Sequence, residues 1–259
     1  MIDLHTHILP GIDDGAKDMA DAVAMARQAL ERKVAVIAAT PHYLNREWTV
    51  IKQRHADLEH QLSEQGIDLK VIVGAELFID PELMEMPREK IPTYNDAGKY
   101  CLIEFPMQEL PAYTDEVLFA LQVKGIIPII AHPERYRYVA EDPNLVFKWI
   151  TNGCLIQVNA GSLLGLFGEQ AKQTGIILLQ HSLVHLLASD AHSTGRRSFC
   201  LDKCLAIAQQ YVTSEVVDLL VNANPGLVVE GKPIDVDVPE PVQYQPRKRF
   251  WLFKIFGGA

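Results

Sequence analysis

Apolar runs at residues 2–5, 34–39, 69–73, 100–105, 126–131, 154–158 and 184–189 predict strands. They are nearly continuous in apolar residues rather than alternating, the pattern of strands covered on both faces. Segments of helical period lie between them. Asp18 can cap a helix whose apolar positions Val23, Ala26 and Leu30 recur three and four apart. Residues 46–65 predict a polar amphipathic helix stopped by Gly66, and residues 114–124 one stopped by Gly125. Residues 143–152, 167–181, 198–210 and 214–222 predict four more, while residues 80–98, rich in Pro, Asp and Asn, read as an irregular excursion. Strands alternating with helices about seven times imply parallel strands joined by helical crossovers. In α/β barrels of this kind the chemistry sits at the C-terminal strand ends.

No internal repeat, low-complexity stretch or linker interrupts residues 1–235, which read as one domain. Residues 236–259 differ. They are Pro- and Gln-rich to residue 246 and then run Arg247-Lys248-Arg249-Phe250-Trp251-Leu252-Phe253-Lys254-Ile255-Phe256. Basic and large apolar residues so mixed suit peripheral contact with an anionic membrane or docking on a partner, against the plainer reading that Trp251 and Phe253 pack back on the barrel.

Composition narrows the classes. The 259 residues are 48% hydrophobic and 22% charged, enough apolar material for a sizeable core. A formal net charge of −9 argues against nucleic-acid binding, which needs a basic face. Cys101, Cys154, Cys200 and Cys204 are scattered and form no C-x-x-C pair, which predicts reduced thiols in a cytoplasmic protein. Neither a signal peptide nor an apolar run of about 18 residues is seen.

The chemistry-bearing residues fall where the strands end. His5 and His7 are two apart, so on a strand both imidazoles point one way. Asp14, His42, Glu76, Glu104, His132, Asp190 and His192 follow later strands in the same manner. Taken singly each is weak, because a lone strand-end His is usually a hydrogen-bonded structural residue. Glu104 inside Cys-Leu-Ile-Glu-Phe is harder to dismiss, since an unpaired carboxylate in an apolar strand is costly. Nine such placements together favour a metal cluster. Imidazoles and carboxylates without thiolate suit Mn²⁺, Fe or Zn²⁺. Five His and four carboxylates are too many for one ion and suit two or three, with Glu76 as a bridge. Three divalent ions against four carboxylates leave the loaded centre at about +2, which would attract phosphate even in an acidic protein.

The opening His5-x-His7 with Leu9-Pro10-Gly11-Ile12-Asp13-Asp14-Gly15, the His132-Pro133-Glu134-Arg135 stretch and Ser189-Asp190-Ala191-His192 resemble the polymerase-and-histidinol-phosphatase (PHP) superfamily. Gln157-x-Asn159-Ala160-Gly161-Ser162 and Ala188-Ser189-Asp190-Ala191-His192 narrow the likeness to the CpsB/CapC (YwqE-like) protein-tyrosine phosphatases, over residues 1 to about 230. The resemblance implies a distorted (β/α)7 TIM-like barrel with a Mn²⁺-dependent, trinuclear centre. It implies one ion on His5, His7, Glu76 and Asp190, a second on Glu76, Glu104 and His132, and a third on Asp14, His42 and His192, with Asp13 an alternative to Asp14. At the Glu104 position most PHP proteins carry His, and Glu agrees with the phosphatase branch. The resemblance further implies phosphotyrosine on a bacterial tyrosine kinase controlling capsule or exopolysaccharide assembly as the substrate.

Arg135 and Arg197, each beside a candidate ligand, can clamp phosphate with paired N–H donors, with Arg196 competing for the second role. A phenolic leaving group of pKa about 10 needs little proton donation, so no general acid is assigned. A cysteine phosphatase would need Arg six residues after the thiol, where this chain has Met107, Ala160, Ala206 and Gln210. His181 and His185 read as structural, and His55 and His60 as facing solvent. Two other readings remain. One is a small-molecule phosphoesterase of the histidinol-phosphate phosphatase kind. The other is a module that recruits a kinase or membrane through the tail. Oligomeric state is left open.

Overall fold

The structure, a computed structural model, describes residues 1–43, 48–235, 239 and 241–243. Among the described residues eight strands form: β1 (Ile2–Thr6), β2 (Val36–Ala39), β3 (Lys70–Val73), β4 (Glu76–Phe78), β5 (Tyr100–Glu104), β6 (Ile127–Ala131), β7 (Leu155–Asn159) and β8 (Leu186–Ala188). All pairings are parallel, in a sheet of order β1-β2-β3 and a sheet of order β4-β5-β6-β7-β8. The expected strands are thus present, and β4 is an extra one. It follows β3 after a break at Gly74-Ala75, where a Cβ on Gly74 would stand 3.0 Å from the Thr40 side chain.

Hydrogen bonds carry the chain across both gaps. Glu76 N–H donates to the Pro41 carbonyl and Tyr43 N–H to that of Glu76, each at 2.9 Å. On the other side, Asp190 N–H donates to the His5 carbonyl at 2.9 Å and His7 N–H to that of Ala191 at 2.8 Å. Thr6 and Ala191 form an isolated parallel bridge.

Parity within the strands separates two apolar layers. Leu4, Ala38, Ile72, Leu102, Ile129, Ala131, Leu155 and Leu186 pack together in one buried cluster drawn from both sheets. Their neighbours Ile37, Val71, Ile103, Ile130, Ile156 and Leu187 belong to the other, which the helices cover. This is the double coverage that the apolar runs imply. The covering helices include Met19–Glu31, Trp48–Glu64, Thr114–Val123, Asn144–Thr151 and Glu169–Gln180. Asp18 caps the first, its carboxylate accepting from Asp21 N–H at 2.9 Å. The chain leaves the second and third through Gly66 and Gly125, both with positive φ.

The excursion at 80–98 contains only short turns, Glu82–Glu85, Arg88–Lys90 and Tyr94–Asp96. Helical turns at Pro133–Arg135, Arg137–Glu141 and Ala160–Leu163 lie outside the expected helices. His55 departs from expectation. It is largely buried, and its Nε2 lies 3.0 Å from the Val71 carbonyl on β3, so only His60 faces solvent. All four cysteines are free and buried. No helix among the described residues is long and apolar enough to cross a membrane. The basic aromatic tail lies outside the described residues.

Candidate metal centre

The interior parity of each strand, continued past its C-terminal end, points at one place. Leu102 is interior and Glu104 follows two later. Leu155 is followed in the same way by Gln157 and Asn159, Leu186 by Ala188 and Asp190, and Ala38 by Thr40 and His42. β1 and β6 depart from this scheme, because Leu4 and Ala131 are interior while His5 and His132 have the opposite parity. The β1–β2 register slips between Asp3 and Thr6, an irregularity of the kind that re-aims a side chain beside a site. His132 and Asp190 both hold left-handed backbone, φ 35° and 55°. Non-glycine residues there cost about 1–3 kcal/mol each and persist where the surroundings enforce them. Gly15 lets the 9–15 loop fold back on β1, since a Cβ there would stand 1.9 Å from the His7 carbonyl oxygen.

All nine candidate ligands converge. Four groups have ligand atoms mutually within 4.8 Å: His5, His7 and Asp190; His5, Glu76 and His132; His42, Glu76 and Glu104; and His7, Asp14, His42 and His192. In the most buried place His5 Nε2 is 3.2 Å from His7 Nε2. Glu76 Oε2 lies 3.3 and 3.4 Å from these two nitrogens, and Asp190 Oδ1 3.5 and 3.4 Å. His5 Nδ1 donates to Gln157 Oε1 at 2.8 Å, and His7 Nδ1 to Asp13 Oδ2 at 2.7 Å. With the proton on Nδ1, each neutral imidazole presents a bare Nε2 lone pair inward. Two nitrogen and two carboxylate lone pairs then face one another. Ligand atoms around one first-row ion at about 2.0–2.2 Å stand about 3.0–3.6 Å apart, so this donor set fits a divalent metal.

Electrostatics agree. Burial opposes protonation of His5 and His7, yet Glu76 and Asp190 outweigh it at His5. At His7 the Asp13 carboxylate on Nδ1, then Asp190 and Glu76, carry it well above the usual value. Glu76 and Asp190 are pushed up by burial and nonetheless held well below the carboxylate range, chiefly by His5.

Glu76 lies between two of these groups. Its Oε1 is 3.0 Å from His132 Nε2, and its Oε2 is 3.1 Å from His42 Nδ1 as well as near His5 and His7. Glu104 lies 3.8 Å from His132 and 3.7 Å from His42, and burial, then the Glu76 charge, push its carboxyl up to about 7. On the outer side His192 Nε2 and His42 Nε2 lie 3.2 and 3.7 Å from Asp14 Oδ1. His132 Nδ1 and His192 Nε2 are buried without a hydrogen-bond partner among the described residues.

Adjacent acids that the sequence could not separate are placed differently. Asp14 enters a ligand group. Asp13 instead braces His7 and accepts the amides of Gly15 at 3.0 Å and His42 at 2.8 Å. Burial would raise Asp13, but the bond from His7 wins and holds it at about 2.

Both candidate arginines reach the centre. Arg135 Nη1 and Arg197 Nη2 donate to the same oxygen, Asp190 Oδ2, at 3.0 and 2.8 Å. Their guanidinium carbons lie 4.4 and 5.9 Å from the Phe167 ring centre. Arg196 is exposed. Beside Arg135 opens a cleft of about 370 Å³ walled in part by Met107, Tyr136, Ala140 and Phe167.

Sequence reasoning assigned no role to Asp3, Gln157, Asn159, Glu134 or Phe167. Asp3 Oδ1 accepts the amides of Ser189 and His5 at 3.0 and 3.3 Å, tying β1 to the end of β8. Glu134 Oε1 accepts the Ser162 hydroxyl at 2.6 Å and the Asn159 amide at 3.1 Å. Burial raises these two carboxyls to about 6 and about 7. Polar residues at interior parity in β7 were a usable signal for Gln157 and Asn159. Phe167 left none.

Comparison with known proteins adds the lineage. The family model for capsular polysaccharide synthesis, CpsB/CapC, matches residues 1–230. Tyrosine-protein phosphatase YwqE of Bacillus subtilis is 37% identical, over 98% of this chain and 100% of its own length. A putative tyrosine-protein phosphatase, CapC of Staphylococcus aureus, is 33% identical over 97% of this chain and 100% of its own. A crystal structure from the pair YwqE of Bacillus subtilis and CpsB of Streptococcus pneumoniae, described as unique metal-dependent tyrosine phosphatases, matches with a TM-score of 0.89 and 37% identity, over 94% of this chain and 100% of the other. With the family model spanning nearly all of the described chain and relatives above 30% identity over their full length, this protein belongs to the CpsB/CapC family.

Proposed function

We propose that the chain is a metal-dependent protein-tyrosine phosphatase acting on a phosphotyrosine protein, a bacterial tyrosine kinase that governs capsule or exopolysaccharide assembly. The observation that carries this is the convergence of nine imidazole and carboxylate ligands beneath two guanidinium groups. The two sheets are read as one distorted (β/α)7 barrel in which β3 and β4 count as a single interrupted strand. His5, His7, Glu76 and Asp190 would hold one ion, Glu76, Glu104 and His132 a second, and Asp14, His42 and His192 a third. The thiolate-free donor set suits Mn²⁺, with Fe and Zn²⁺ as alternatives. Residues 1–235 do the chemistry in the cytoplasm, and residues 236–259 serve docking on the kinase or an anionic membrane.

When bound, divalent ions lower the pKa of water and offset charge on phosphoryl oxygens. The chain's own part is to hold the phosphate and set the line of attack. Arg135 and Arg197 each keep N–H groups free beyond the one given to Asp190 Oδ2, and these bind phosphoryl oxygens. Phe167 stacks beneath both guanidinia and limits their swing. The cleft beside Arg135 offers apolar wall to an aromatic leaving group, which favours an aryl ester over histidinol phosphate.

Arg135→Ala is expected to lower kcat/KM for a phosphotyrosine peptide about 100-fold, the scale of losing a charge-assisted phosphate contact. Arg135→Lys should recover only part, because an ammonium cannot reproduce the paired donors. Steady-state kinetics on the peptide and on histidinol phosphate, with Mn²⁺ present, check both points. Preference for histidinol phosphate would move the assignment to the small-molecule phosphoesterase.

A further inference from the structure

The ligand sets are held in different ways. His5, His7 and Asp190 are almost wholly buried, at 0%, 0% and 2% exposure. Two of these three are joined from behind. His5 Nδ1 donates to Gln157 Oε1, Gln157 Nε2 donates to Asn159 Oδ1, and Asn159 Nδ2 donates to Asp190 Oδ2, each at 2.8 Å. The chain begins and ends on residues whose inward atoms belong to one ligand group. Its polarity is fixed. Turning the Gln157 amide would set N–H against the His5 N–H, and turning that of Asn159 would set a carbonyl against a carboxylate. Both amides are buried, and Glu134 pins the Asn159 backbone from the next strand connection.

In the outer set His192 is braced, its Nδ1 donating to the Asp190 carbonyl at 3.0 Å, but the acidic ligand is not. The Asp14 side chain is 62% exposed and that of His42 24%. Asp14 lies near His192, His42 and Arg197, yet no hydrogen bond among the described residues fixes its carboxylate. An ion there must order an exposed side chain, whereas one between His5, His7 and Asp190 meets ligands already oriented.

We infer that the centre holds its ions with graded strength: the His5–His7–Asp190 ion is retained because the Gln157–Asn159 amide relay orients both ends of its ligand set, and the Asp14–His42–His192 ion exchanges. This rests on the metal-centre reading above and goes beyond it in naming Gln157 and Asn159 as positioning residues and in setting an order of loading. The relay fixes the His5 tautomer with Nε2 bare and holds Asp190 with Oδ1 turned inward. Outer partners of this kind are worth about 10–100-fold in metal affinity.

The test is calorimetric titration of the metal-stripped full-length chain with Mn²⁺. The wild type should show a tight and a weak class, separated by about 10-fold or more. Asn159→Leu should weaken the tight class by about 10–100-fold while the weak class changes less than about two-fold. Asp14→Asn should do the reverse. Asn159→Asp keeps the shape but sets a carboxylate against Asp190, so it should also weaken the tight class; it carries the test if Asn159→Leu does not fold. Gln157→Glu, which still accepts from His5 but sets a carboxylate oxygen against Asn159 Oδ1, should recover only part of what Gln157→Leu loses. A single binding class, or an unchanged tight class in both Asn159 variants, would overturn the inference. So would a parallel fall of every affinity together with the Tm of the metal-free protein, the mark of a merely structural role. Failure to bind any divalent ion would overturn the metal centre itself and this inference with it.

Discussion

Asp190→Ala is expected to lower kcat/KM for a phosphotyrosine peptide by about 10³-fold or more, even at saturating Mn²⁺. The size follows from how many groups lean on one carboxylate. Oδ1 lies 3.4–3.5 Å from His5, His7 and His192, while Oδ2 accepts from Arg135, Arg197 and Asn159. On the proposed reading, removing it takes a ligand from the most buried ion and releases both arginines together. Losing one preorganised donor to developing charge costs about 10²–10³-fold in rate, and here two are released together with a candidate metal ligand. Metal content measured alongside should fall as well. Activity within about tenfold of wild type would show that Asp190 serves packing rather than the centre.

Glu76→Gln should cost about 10²–10³-fold, with the shape of the side chain unchanged. Glu76 is 1% exposed and sits between four imidazoles, with Oε1 toward His132 and Oε2 toward His42, His5 and His7. An amide keeps one acceptor and replaces the other with N–H donors, so it cannot serve ions on both sides. It also removes one negative charge, raising the loaded centre from about +2 to about +3. Glu76→Asp keeps the charge and shortens the reach, so it should lie between Gln and wild type. The check is stoichiometry of bound Mn²⁺ together with kcat. Full occupancy and wild-type kcat in Glu76→Gln would refute the bridging role.

Much of the centre was legible because period-two strands carry information past their ends. Once residues 100–105 and 184–189 are strands, Glu104 and Asp190 fall on the face of Leu102 and Leu186. His5 lies in the cluster for a reason other than alternation. Simple alternation puts it opposite the interior Leu4, and only the register slip in β1 brings both inward. Slips of that kind depend on pairing with β2, which no local pattern records. Asp13 and Asp14 could not be separated by pattern because a tight loop, not a strand, sets their directions.

The break at Gly74-Ala75 hid β4, since three residues are too few to show alternation. His55 looked solvent-facing on a polar helix, yet it lies against Val71 because that helix crosses β3. Phe167 was invisible for a different reason. It sits in a loop between Gly165 and Gly168, both with positive φ, and loop side chains are aimed by tertiary contacts rather than by period.

The most direct measurement is hydrolysis of a phosphotyrosine peptide by metal-stripped protein, before and after adding back Mn²⁺, Mg²⁺ or Zn²⁺. The expected result is negligible turnover without metal and recovery by Mn²⁺ of at least about 100-fold, since a bound ion supplies what the imidazole and carboxylate side chains alone do not. Equal turnover before and after metal removal, with bound metal verified absent, would contradict the metal-dependent account.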